Sequence, residues 1–194
     1  NDPIFAKSER RQSRLSLTVG YADGNIVVIH YVRYYYITAT LAGGKKLIQE
    51  KRLVEQFMEL VRVDSETGNE REICNVLTEL FKALGMIVVE DDSAKLTGLG
   101  AGNLFCTLPA TAGKETVSPI FFTCHMDTVK PGNGIKPQWD ADGFIRSDGT
   151  TILGSDDKAG IAALLESVKV LKEQQIEHGP IQFVNYWSEE HTTR

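Results

Sequence analysis

The sequence predicts an α/β fold. Three segments carry apolar residues at helical spacing, and short β-prone runs bounded by turn residues lie between them. The composition agrees: 194 residues with 42% hydrophobic and 24% charged side chains suffice for one globular domain with a core, or for part of a larger protein.

Residues 1–44 stand apart. They are β-prone and rich in tyrosine (Tyr31, Tyr34, Tyr35, Tyr36), without a clear period, and the first methionine is Met58. The grammar changes after Gly43 and Gly44. Residues 46–62 place Leu53, Phe57, Leu60 and Val61 on one helical face. Turn residues follow in SETGNE, where Thr67 and Glu70 have the spacing of a capping box for a second helix. That helix presents Ile73, Leu77, Leu80, Phe81 and Leu84, and Gly85 stands where a C-terminal cap belongs.

Strands are predicted over residues 86–90, 103–109 and 119–125. Asp142-Gly143 signals a hairpin turn, followed by the strand-like runs FIRS and TTIL. A third helix over about residues 158–174 carries Ile161, Leu164, Leu165, Val168 and Leu171 on one stripe. A last strand is predicted over residues 181–187.

Bulk charge and apolar runs exclude several functions. A net charge of −5, with Lys and Arg scattered apart from Lys7, Arg10, Arg11 and Arg14, suggests no nucleic-acid groove. The longest apolar region, residues 26–43, contains His30 and Arg33, which argues against both a membrane span and a signal peptide. Cys74, Cys106 and Cys124 are odd in number and sit in apolar patterns without a C-x-x-C pair, which reads as reduced thiols in a cytoplasmic protein.

Three motifs could carry chemistry. His125-x-Asp127 ends a predicted strand, and in extended backbone side chains two apart share a face. That spacing suits a metal-bound imidazole and the carboxylate orienting it, and it equally suits a polar strand end with a satisfied histidine. Asp156-Asp157-Lys158, flanked by Gly154 and Gly160, lies where a strand-like run meets a helix. The two carboxylates fit helix capping, or one aimed at a metal with its neighbour turned away. Ser188-Glu189-Glu190 ends the last strand; adjacent glutamates are commonly solvated, or one binds metal while the other takes a proton from water. Taken together, all three fall at or just after strand ends, where open α/β sheets build their sites. A histidine with several carboxylates suits Zn²⁺ or another borderline metal.

Other candidates carry less. Gly98-Leu99-Gly100-Ala101-Gly102 precedes a strand rather than a helix and reads as a turn. Asp140-Ala141-Asp142-Gly143 lacks the glycine position and closing glutamate of a calcium loop. Cys124 reads as a core thiol, and His30 and His178 as surface or turn residues.

The stretches FFTCHMDTVKPGNGIKP, DGTTILGSDDKAGIAALLESVKVLKEQ and SEE, with DSETGNE and GAGNLFCTLPA, resemble the dinuclear zinc peptidases that include peptidase T, carboxypeptidases and aminoacylases. Within that family the chain looks most like bacterial peptidase T and peptidase-T-like proteins, and the resemblance runs over residues 48–190. It implies a mixed central sheet flanked by helices, with residues 45–190 as the N-terminal part of a catalytic domain. It implies two Zn²⁺ per site. His125 is then a ligand of the first metal, Asp127 its orienting partner, Asp156 a bridge, Asp157 a non-ligand, Glu189 the general base and Glu190 a ligand of the second metal. The implied activity is metal-dependent hydrolysis of peptide bonds in small peptides, with amide-bond deacylation or a non-catalytic binding role as rivals. No nucleic-acid or membrane partner is implied, and a homodimer only where a lid domain is present.

The sequence also departs from the family. Residues 1–44 resemble nothing in it, and residues 191–194 read as an aberrant tail, although His191 faintly resembles a distal ligand segment. Tyr186 and Trp187 stand where the family prefers small residues and a glycine. A further carboxylate ligand, the lid and the distal histidine are expected beyond Arg194. Each metal then has two of three protein ligands, so a fragment with impaired activity and an uncovered apolar sheet face is expected.

Overall fold

The computed structural model describes residues 18–22, 25–29 and 48–186. Two antiparallel strands, β1 (Thr18–Ala22) and β2 (Asn25–Ile29), form a hairpin of their own. The other elements are α1 (Glu50–Arg62), α2 (Arg71–Ala83), β3 (Ile87–Glu90), α3 (Ser93–Thr97), β4 (Leu104–Leu108), β5 (Ile120–His125), β6 (Gln138–Trp139), β7 (Ile145–Arg146), α4 (Ser155–Glu173) and β8 (Ile181–Tyr186). The α/β class and the mixed sheet both hold. The order is β3-β4-β8-β5, with β3, β4 and β8 antiparallel in turn and β5 parallel to β8.

Register sorts the side chains into two faces. Val88, Cys106, Phe183 and Phe122 lie abreast on the inner face. There the Phe183 ring packs 5.8 Å from both Phe81 and Phe122. The predicted helical stripes supply the opposing layer: Phe57, Leu60 and Val61 from α1, Ile73, Leu77 and Phe81 from α2, and Ile161, Leu165 and Val168 from α4 are all buried. Leu53, Leu80, Leu84, Leu164 and Leu171 pack around the margin. On the outer face Ile87, Val89 and Phe121 remain 58%, 57% and 58% exposed.

The helices are tied to each other by buried charge. Arg52 of α1 donates from Nε to Glu166 Oε2 of α4 at 2.7 Å and also pairs with Glu173, while Glu166 Oε1 accepts the Gln49 backbone N–H at 3.1 Å. Glu166 is buried, so this pairing satisfies a carboxylate that would otherwise be costly to bury.

Several local expectations need correction. Gly85 does close α2: its φ is +76°, its N–H donates to Lys82 O, and Met86 N–H donates to Phe81 O, a Schellman arrangement. The capping box does not form. The residue preceding α2 is Glu70, and no side chain caps that end. Asp142-Gly143 does make the β6–β7 turn, but TTIL forms no strand. Helix α3 carried no apolar stripe to predict it, since Leu96 is exposed. Residues 46 and 47 of the first predicted helix and Trp187 of the last predicted strand lie outside the described residues, as does most of the predicted extension. The three cysteines are free and buried. Among the described residues no helix is long and apolar enough to cross a membrane.

Candidate metal centre

Strands β5 and β8 run parallel and end together, His125 level with Tyr186. The chain then enters the loop that carries Asp127, which is buried. The loop before α4 comes back to the same edge. Gly154 has a φ of +66°, and a Cβ there would lie 3.0 Å from Ile135 Cδ1 and 3.2 Å from Thr128 Cγ2. Glycine thus permits both the turn and the close approach that bring Asp156 over the end of β5.

The three side chains meet. His125 Nδ1 lies 3.0 Å from Asp127 Oδ1, and His125 Nε2 lies 3.1 Å from Asp156 Oδ1. His125 and Asp127 are buried, while the Asp156 side chain is 65% exposed and opens the group to solvent. Burial alone would lower the affinity of the imidazole for a proton. The two carboxylates outweigh it and hold the pKa at about 9.

Asp156 and Asp157 part company. Neither has helical backbone, and the peptide joining them is cis. Asp157 turns inward, accepts the Gly160 N–H at 3.2 Å and meets the Cys124 thiol. Burial raises the Asp157 pKa, and burial likewise raises that of Cys124. One carboxylate therefore faces the imidazole and its neighbour faces the core. Lys158 is fully buried, donates to Val63 O at 2.7 Å, and has its pKa lowered by burial to about 8.

Around this group the loop 64–70 forms a polar scaffold. Asp64 Oδ1 accepts from Gly134 N at 2.7 Å, and Glu66 Oε1 from Gly132 N at 2.8 Å. Thr67 Oγ1 donates to Asp127 Oδ2 at 2.7 Å. Glu70, fully buried, accepts from Gly68 N and from Gly100 N, the latter at 2.9 Å. Residue-level sequence reasoning assigned Thr67 and Glu70 to helix capping and missed this network. The density of polar residues in DSETGNE was the available signal.

Glu189 and Glu190 lie outside the described residues, as does His191. Among the described residues no group of three or more His, Cys, Asp or Glu side chains is arranged to hold a metal ion. What they do contain is a pair of potential ligands, an imidazole nitrogen and a carboxylate oxygen, with a second carboxylate on the far ring nitrogen. That donor chemistry fits a borderline divalent cation such as Zn²⁺. The Tyr186 ring lies 5.9 Å from that of His125, so one of the two bulky residues that replace the family's small ones stands beside the imidazole.

No protein-family model matches the chain. An uncharacterized protein, YqjE of Bacillus subtilis (strain 168), is 57% identical over 138 residues, which are 71% of this chain and 36% of that protein. The crystal structure of aminopeptidase PepT from Bacillus cereus ATCC 10987 aligns with a TM-score of 0.72 at 60% identity, covering 75% of this chain and 38% of that one. A tripeptidase from Staphylococcus aureus aligns with a TM-score of 0.70 at 54% identity, covering 74% and 38%. The chain therefore spans little more than a third of the length of these relatives.

Proposed function

Because the chain is peptidase T-like in sequence and in fold, we propose that its chemistry is metal-dependent hydrolysis of peptide bonds in small peptides. The observation that carries this reading is the His125–Asp156 approach of 3.1 Å, with Asp127 on the other ring nitrogen. The names of the two solved relatives, an aminopeptidase and a tripeptidase, support release of an N-terminal residue from short peptides.

His125 Nε2 and an Asp156 oxygen would hold Zn²⁺, with Glu190 as a ligand of a second ion. Bound zinc supplies Lewis acidity toward a water and a scissile carbonyl. Asp127 holds the imidazole by Nδ1, so that Nε2 is the nitrogen presented to the cation. Glu189 takes a proton from water on its carboxylate and returns it to the leaving amine nitrogen. Asp157 serves the core rather than the cation. We place the protein in the cytoplasm, a reading supported by its three free buried thiols.

The test is turnover by the 194-residue chain supplied with Zn²⁺, on tripeptides and on N-acetyl amino acids. The expected result is slow release of the N-terminal residue from tripeptides, in keeping with the impaired activity expected of this chain, and its abolition by chelation and by Asp156→Ala. Cleavage confined to the acyl-amino acids would favour a deacylase, and cleavage indifferent to Asp156→Ala would refute the site.

A further inference from the structure

We infer that Thr67 is a positioning residue of this centre: its hydroxyl fixes the Asp127 carboxylate, which in turn fixes the ring of His125. The inference rests on the reading of His125 as a metal ligand, and it adds to that reading a residue 58 positions upstream, taken from the numbers 125 and 67.

The two oxygens of Asp127 have separate partners. Oδ2 accepts from Thr67 Oγ1 at 2.7 Å, and Oδ1 meets His125 Nδ1 at 3.0 Å. A carboxylate held by one oxygen turns about its Cβ–Cγ bond over a broad, roughly two-fold range. Held by both, it presents Oδ1 to the imidazole in one orientation. The ring orientation of a metal-binding histidine depends on that outer partner, whose loss typically weakens metal affinity about 10–100-fold.

Thr67 can do this because its own backbone is fixed. Its N–H donates to Thr128 O at 3.2 Å, and Thr128 N–H donates to Ser65 O at 2.9 Å. These bonds lay residues 65–67 beside the chain just beyond β5, with Glu66 bridged in parallel to Thr128. On one side Glu66 grips Gly132 at 2.8 Å. On the other, buried Glu70 receives the N–H groups of Gly68 and Gly100. A Cβ on Gly100 would lie 2.6 Å from Glu70 N, so the two loops are in direct backbone contact. Both residues that sequence spacing assigns to a helix cap are therefore used elsewhere. Glu70 braces the loop and Thr67 reaches the acid behind the histidine.

The experiment compares Thr67→Val, which removes the hydroxyl at nearly constant shape, with Thr67→Ser, which keeps it. Two readouts are taken on the full chain: the exchange protection of the His125 Nδ1–H proton in metal-free protein by NMR, and the Zn²⁺ dissociation constant by competition with a chromophoric chelator. Thr67→Val is expected to accelerate exchange of that proton and to weaken Zn²⁺ binding about 10-fold. Thr67→Ser is expected to stay within about 3-fold of the parent, at the level of ordinary context variation rather than of a lost outer partner. A purely structural role would lower thermal stability without this selective pattern or its rescue by serine. Unchanged ring-proton exchange in Thr67→Val overturns the inference, whether or not zinc binds. If the parent chain binds no zinc, the metal reading fails while the ring-proton comparison still decides the role of Thr67.

Discussion

Asp127 stands behind the histidine that the proposed chemistry requires, and its contribution is open to substitution. Asp127→Asn keeps the size of the side chain and removes its charge. It is expected to weaken Zn²⁺ affinity about 10–100-fold, measurable by calorimetry. A second residue-scale prediction concerns Glu90, away from the site. Its carboxylate pairs with Arg71, with Oε1 2.6 Å from Nη2, and accepts Gly102 N–H at 2.9 Å. The arginine, opposed by burial and helped by the Gly102 donor, lowers its pKa from 4.5 to about 2. A depressed folded-state pKa means that this stabilisation is complete above the unfolded value and is lost as pH falls from 4.5 through about 2. Glu90→Gln should flatten that limb of the stability profile in acid denaturation and leave its slope near neutrality unchanged. At Gly100 an added Cβ meets the Glu70 backbone at 2.6 Å, so Gly100→Ala should destabilise by about 1–3 kcal/mol in urea melts.

At the scale of elements, what was legible in the sequence follows from what each pattern encodes. A helix buries a stripe set by its own period, and the stripes of α1, α2 and α4 point into the core as read. Strand ends also carry local information, so His125-x-Asp127 and the Asp156 turn were visible as candidates. Thr67 and Glu70 were misread because their partners, Asp127 and Gly100, lie 60 and 30 positions away. No local spacing distinguishes a capping threonine from one committed to a distant carboxylate. The short α3 was invisible for the opposite reason: with Leu96 exposed it has no buried stripe to announce it. Comparing these two kinds of helix yields a prediction. Leu77→Ala in α2, which empties a fully buried position, should cost about 2–5 kcal/mol, whereas Leu96→Ala should stay within about 0.5 kcal/mol. Denaturant titration of both variants checks the contrast.

For the whole molecule, topology explains why the site and the apolar surface occur together. The parallel β5–β8 pair delivers two strand ends to one edge, and α4 returns to that edge after a glycine turn. The helices then cover the inner face, and Ile87, Val89 and Phe121 stay exposed on the outer one. Val89 lies abreast of the exposed Phe105 on this face, while Phe121 stands exposed on the far edge strand, and exposed apolar side chains of this kind favour association. Dynamic light scattering should therefore show concentration-dependent growth, reduced by the double substitution Val89→Lys and Phe121→Lys. The account depends above all on His125 and Asp156 sharing one cation. Zinc titration by calorimetry of the parent chain beside His125→Ala and Asp156→Ala tests this directly. Saturable binding by the parent chain, lost in both variants, is the expected result; no binding by the parent, or equal binding by all three, would rule out a shared cation site.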